Sequence, residues 1–137
     1  MSEKIIEPII KPPKIEVDKK LLEDIKEQTD KEKQVIVHCY FYPEQFFSRI
    51  RIWHSTYLKD LNSDHRSKLL DAHNINFYPS WKPIIGMAKV SFTLVFEGLN
   101  SECQSFRLVE DIPVNNGFFT GTITRNETDV YQVQIMY

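Results

Sequence analysis

Residues 89–99 read KVSFTLVFEGL, and the reading of this stretch decides the fold class. Val90, Phe92, Leu94 and Phe96 alternate with Ser91, Thr93, Val95 and Glu97. A period of two puts one set on each face, the pattern of an antiparallel strand with one buried side. Gly86 and Gly98 bracket it as turn residues. Phe92, Leu94 and Phe96 are therefore expected in the core.

Working outward, the same kind of signal recurs. QVIVHCYFY (34–42) is β-branched and aromatic, with Val35, Val37, Cys39 and Phe41 on one face. RIRIWHSTYL (49–58) reads as a further strand, with Arg51, Trp53 and Tyr57 opposite Ile50 and Ile52. NSDH (62–65) follows as a polar turn, because Asn, Ser and Asp bond locally to the backbone. RSKLLDAHNI, SFRLVEDI and DVYQVQIMY complete the set, with Tyr131, Val133 and Ile135 sharing a face of the last. Short strands separated by Gly, Pro and Asn indicate an all-β sandwich or barrel.

Between two of these strands lies NINFYPSWKPII (74–85), an aromatic segment containing two prolines. It reads as a corner loop first and a binding site second. Trp53 is expected as a core tryptophan between sheets. Trp81, between Pro79 and Pro83, is either a plug sealing the end of the sandwich or an exposed contact. Rigid aromatic loops lose little entropy on binding, so Tyr78 and Trp81, with Trp53 and Tyr57, are the candidate contact residues of the domain.

The order of these signals resembles a group of bacterial, Bacteroidetes-type immunoglobulin-like β-sandwich domains. The resemblance covers residues 34–136. It rests on an opening aromatic strand, then YLKD, SKLLDAHNINFYP, FTLVFEGL, SFRLVED and TDVYQVQI. It implies a fold, an immunoglobulin-like antiparallel β-sandwich, and no catalytic residues.

Composition changes sharply at Gln34. Residues 1–33 contain no aromatic side chain, whereas every aromatic and all four glycines lie after them. Such a segment has little to offer a core and reads as a charged extension to a domain at 34–137. Its first part, IIEPIIKPPKIEV, has three prolines and favours extended structure. Its second, DKKLLEDIKEQTDKEK, predicts one short helix capped by Asp18, with Leu21, Leu22 and Ile25 as an apolar stripe. That stripe is expected to pack on its own domain, on a protein partner or on a second copy, since a lone helix of this length is marginal in water.

The bulk numbers exclude several classes. One domain of 137 residues, 42% apolar, buries a core without staples. A formal charge of -2 gives no basic footprint, so nucleic acid is not expected as a partner. Two cysteines do not make a disulfide scaffold; Cys39 and Cys103 read as buried thiols, with one bridging disulfide as the alternative. No run of roughly 18 apolar residues exists, and the N-terminus has no signal-like apolar core, so neither membrane insertion nor secretion is expected. The default compartment is cytoplasmic.

Chemistry is not announced anywhere. His38, His54, His65 and His73 have no ligand spacing, and neither cysteine belongs to a CxxC pair, so no metal or cofactor is expected. Asp60, Asp64 and Asp71 lack the dense calcium-loop pattern. There is no GxSxG elbow and no glycine-rich phosphate loop. Asn126-Glu127-Thr128 matches a glycosylation acceptor but reads as a turn before the last strand. The sequence thus points to a non-enzymatic interaction module or small subunit of an assembly, using the extension or the Pro79–Pro83 loop. Its rival is a carbohydrate- or small-ligand-binding sandwich centred on Trp81.

Overall fold

A computed structural model describes residues 33–113 and 117–136 of the chain. The extension with Leu21, Leu22 and Ile25, and the helix predicted there, lie outside the described residues. Within them the chain forms nine strands and no helix: β1 (Val35–Phe41), β2 (Phe47–Ile50), β3 (Thr56–Asp60), β4 (Arg66–His73), β5 (Lys82–Ile85), β6 (Val90–Phe96), β7 (Ser105–Glu110), β8 (Ile123–Thr124) and β9 (Val130–Gln134). Seven of them make one sheet in the order β8-β7-β3-β4-β6-β1-β9, and β2 pairs β5 in a separate ribbon.

The deciding strand sits where its pattern demands. β6 pairs β1 on one side and β4 on the other, so its backbone is satisfied along both edges. Phe92, Leu94 and Phe96 are buried, and opposite them in register lie Cys39, Val37 and Val35, also buried. Two period-two patterns thus lock together, and a one-residue slip would turn both apolar rows to water. In β4 the register shifts between Leu69 and Asp71, and the bulge leaves Leu70 exposed.

Three expectations are corrected. The sheet is mixed, because β1 runs parallel to β9. Parallel neighbours need a long connection, and these two strands are separated by nearly the whole domain. The sheet also curls. Phe119 bridges both Val109 of β7 and Met136 after β9, with the Phe119 and Met136 amides each bonded to the other's carbonyl at 3.0 Å. The two ends of the strand order are therefore tied round the core. Finally, 49–58 is two strands. β2 ends at Ile50, and a turn closed by the Thr56 amide on the Trp53 carbonyl redirects the chain into β3. Ile50 and Ile52 stay buried through the break, so periodicity alone does not reveal a turn that has no Gly or Pro.

Charge buried in this fold is neutralised locally. Asp129, 1% exposed, accepts from Arg125 Nε at 3.2 Å, Arg125 Nη2 at 3.0 Å and the Tyr131 hydroxyl at 2.7 Å. Burial pushes its carboxyl up, but the Arg125 and Tyr131 hydrogen bonds outweigh this and hold it below the usual range. Asp60, also buried, closes the β3–β4 turn by accepting from the Asn62 amide and the Ser63 hydroxyl, both at 2.8 Å. Burial raises its pKa too, and these bonds again win. Cys39 and Cys103 are buried free thiols, pushed by burial to about 12 and about 11.

Candidate functional site

The ribbon β2–β5 carries the feature that sets this surface apart. β2 presents Arg49 on one face, and the chain running on from it continues with the same parity to Arg51 and Trp53. The segment before β5 brings Tyr78, after which the Tyr78–Pro79 peptide is cis, and Trp81 to the same face. The five side chains form a ladder. Trp53 stacks on Tyr78 at 3.7 Å between ring centroids and 20° between planes. The Arg51 guanidinium lies 4.6 Å from the Tyr78 ring and 3.7 Å from the Trp81 ring. The Arg49 guanidinium lies 4.3 Å from Trp81.

These distances are those of cation–π contacts, each worth about 0.5–1 kcal/mol where solvent reaches. The rings cover the guanidinium faces, and Arg51 Nη1 donates to the Pro79 carbonyl at 3.4 Å. Among the described residues neither Arg49 nor Arg51 has a carboxylate within ion-pair distance, whereas Lys33 and Arg125 both sit on Asp129.

Beneath the ladder is a cavity of about 530 Å³ with Phe41, Ile50 and Phe118 in its apolar lining. That volume lies within the range of ligand-sized clefts, about 300–1,000 Å³. Besides the two arginines, Ser48 and Glu110 put polar groups into its lining. The Ser48 hydroxyl is buried and has no hydrogen-bond partner among the described residues. Glu110, at the end of β7, accepts from the Trp53 amide and the Phe118 amide, both at 3.0 Å, and from the Thr56 hydroxyl at 3.4 Å. Burial pushes its carboxyl above the usual range, with those three bonds and the Arg51 charge opposing.

The structure brings Tyr78, Trp81 and Trp53 together and leaves Tyr57 apart. Tyr57 lies on β3, where the Arg66 guanidinium covers its ring at 4.4 Å. Trp53 is half-buried and outside the core cluster, because its ring is packed on Tyr78 and not between sheets. Trp81 is 39% exposed with the Arg49 and Arg51 guanidiniums over its ring, which fits the contact alternative better than the plug. The expected loop around it gives way to strand β5 at Lys82, with Pro83 on a two-stranded ribbon where its missing N–H costs little.

Arg49, Arg51, Ser48 and Glu110 escaped the sequence reading. The available signal was the spacing Arg49-x-Arg51-x-Trp53, which puts two guanidiniums and an indole on one strand face.

The histidines are spread out. His38 Nδ1 bonds the Thr93 hydroxyl at 2.8 Å, His54 stacks on Phe77 at 3.9 Å, His65 Nε2 reaches the Gly98 carbonyl at 3.2 Å, and His73 lies 3.4 Å from Asp71. Among the described residues no three His, Cys, Asp or Glu side chains are grouped as metal ligands would be, and no helix is long and apolar enough to cross a membrane. No family model, no curated protein and no solved structure matches this chain.

Proposed function

We propose that this protein is a non-enzymatic protein-interaction module whose contact surface is the aromatic–arginine ladder of the β2–β5 ribbon. One observation carries the reading. Two guanidiniums are stacked on Trp81 and Tyr78, with no carboxylate within ion-pair distance among the described residues, above a cavity with an apolar lining. Stacked arginine and tryptophan are the residue types that dominate the energy of protein contacts. Their rotamers are already fixed, so binding loses little side-chain entropy.

The fold is read further as immunoglobulin-like and allied to the Bacteroidetes-type group it resembles. Tyr131 supports this, since its hydroxyl accepts from the Asn126 amide five residues upstream, a corner arrangement of the kind found in such sandwiches. Two buried free thiols suit the reducing cytoplasm of a bacterial cell. The extension at 1–33 would serve as a second docking element, for a protein partner or another copy.

The rival occupant is a carbohydrate or small ligand stacked on Trp81. A peptide display library and a glycan array, each probed with the full chain and with Trp81→Ala, separate the two. The account expects peptides to be enriched and their capture to fall at least tenfold in the variant. Glycan binding lost in Trp81→Ala, with no peptide enriched, would replace this reading with its rival.

A further inference from the structure

The interaction reading above names a surface; the geometry points to what fills it, an extended peptide with alternating acidic and apolar residues that adds as a strand to the free edge of β2. This inference rests on that reading.

The free edge follows from proline. In the β2–β5 ribbon Arg49 faces Pro83. Proline has no N–H, so this cannot be the kind of antiparallel pair that exchanges two hydrogen bonds. The bonded pairs must then be Ser48 with Ile84 and Ile50 with Lys82. The flanking bonds agree, since the Gly86 amide donates to the Phe46 carbonyl at 2.6 Å, while the Ile52 amide donates to Asn76 and the Ile52 carbonyl accepts from Tyr78, both at 2.8 Å. Even-numbered residues thus turn their backbone groups toward the β5 side. Arg49 and Arg51 turn theirs the other way.

That other way is the cavity. The next residue of the same parity, Trp53, donates its amide at 3.0 Å to Glu110, which lines it. Glu110 there supplies the acceptor that a neighbouring strand's carbonyl would supply. Ser48, Arg49, Ile50 and Arg51 form one continuous wall of the cavity. Within the described residues β2 has β5 as its sole neighbour, so this edge is a template for another strand.

The two faces of the edge specify the side chains. On one stand Arg49 and Arg51, whose ring-covered faces leave the N–H edges to meet carboxylates in the bidentate geometry guanidinium favours. On the other stand buried Ile50 and the apolar lining with Phe41 and Phe118. Successive residues of an added strand point to opposite faces. Acidic and apolar side chains must therefore alternate. Glu110 lines the same cavity, but its carboxyl is tied to three protein donors and lies in the field of Arg51, so the peptide's acids belong on the ladder face, over Arg49 and Arg51.

The test uses the full chain and a fluorescent eight-residue peptide of alternating valine and glutamate, followed by anisotropy. Binding is expected, with at least tenfold weaker affinity for Arg51→Glu and for a valine–lysine peptide. Two further peptides carry N-methyl groups, one on every valine and the other on every glutamate. A strand bonds an edge through alternate residues only, so one of the two is expected to lose binding and the other to keep it. Equal behaviour of the N-methylated pair, or equal affinity of the acidic and basic peptides, overturns the strand-addition inference and leaves the ladder as a contact surface. If the display library also yields no ladder-dependent peptide, the interaction reading falls with it.

Discussion

Asp129 and Arg51 show two opposite treatments of charge in one small domain. Asp129 is buried immediately before β9, and both of its oxygens face donors of the same chain, from Arg125, Tyr131 and Lys33. Arg51 stands at the edge of a two-stranded ribbon, packed between rings, with no carboxylate within ion-pair distance among the described residues. A charge that the fold itself neutralises holds the fold together. One that is positioned by rings and makes no ion pair within the described residues is available to something else. The same contrast separates the elements behind them, since among the described residues β6 is bonded on both edges and β2 on one.

If this division is right, perturbing the curled sheet unfolds the protein and perturbing the ribbon does not. The largest effect belongs to β6. Phe96 is fully buried, and Phe96→Ala is expected to cost about 3–5 kcal/mol by urea unfolding. A loss near 1 kcal/mol would mean the sheet is not the stabilising unit.

Next comes the buried ion pair. Arg125→Ala strips Asp129 of its bidentate partner and is expected to cost about 3 kcal/mol, since a buried charge is left with incomplete compensation. Acid should mimic this. The Asp129 and Asp60 carboxyls are held below their unfolded values, so their stabilisation is present above about pH 4 and is lost as pH falls through their lower folded values. Asp129→Asn should flatten that acid limb of the stability profile. Glu110 has the opposite sign. Its folded carboxyl is raised, so its contribution weakens as pH climbs from the unfolded value, near 4.3, through the folded one. Glu110→Gln should remove that slope and cost about 1 kcal/mol, because an amide cannot accept from both the Trp53 and Phe118 amides.

The smallest effect is expected at the ladder. Arg51→Ala and Trp81→Ala should each change stability by about 1 kcal/mol or less, the scale of exposed cation–π contacts. A loss comparable to that of Phe96→Ala would make the ladder a structural brace and not a contact surface.

The asymmetry between the regions also governs what could be read in advance. β1, β6 and β9 are one-sided strands, and Val37, Leu94 and Tyr131 follow a simple alternation that a sequence carries openly. At β2 the alternation is just as clean, yet it says nothing about which neighbour the strand has. Ile50, Arg51, Ile52 and Trp53 read as an unbroken strand because the turn at His54 and Ser55 uses no Gly or Pro. Likewise Pro83 in Lys82–Ile85 argued for a loop, when a ribbon with one satisfied edge tolerates it. Tyr78, Trp81 and Trp53 were found by residue type. Arg49 and Arg51 became visible only once the fold set them against those rings, and Glu110 only once β7 ended beside Trp53.

Whether β2 has an unused edge is read most directly by amide hydrogen exchange measured by NMR. In the free chain the Ser48 and Ile50 amides should be protected by their bonds to β5, while the Arg49 and Arg51 amides exchange fast. Addition of the alternating acidic peptide should slow Arg49 and Arg51 alone. Protection of all four amides without peptide would show that the edge is already occupied, and would contradict the account.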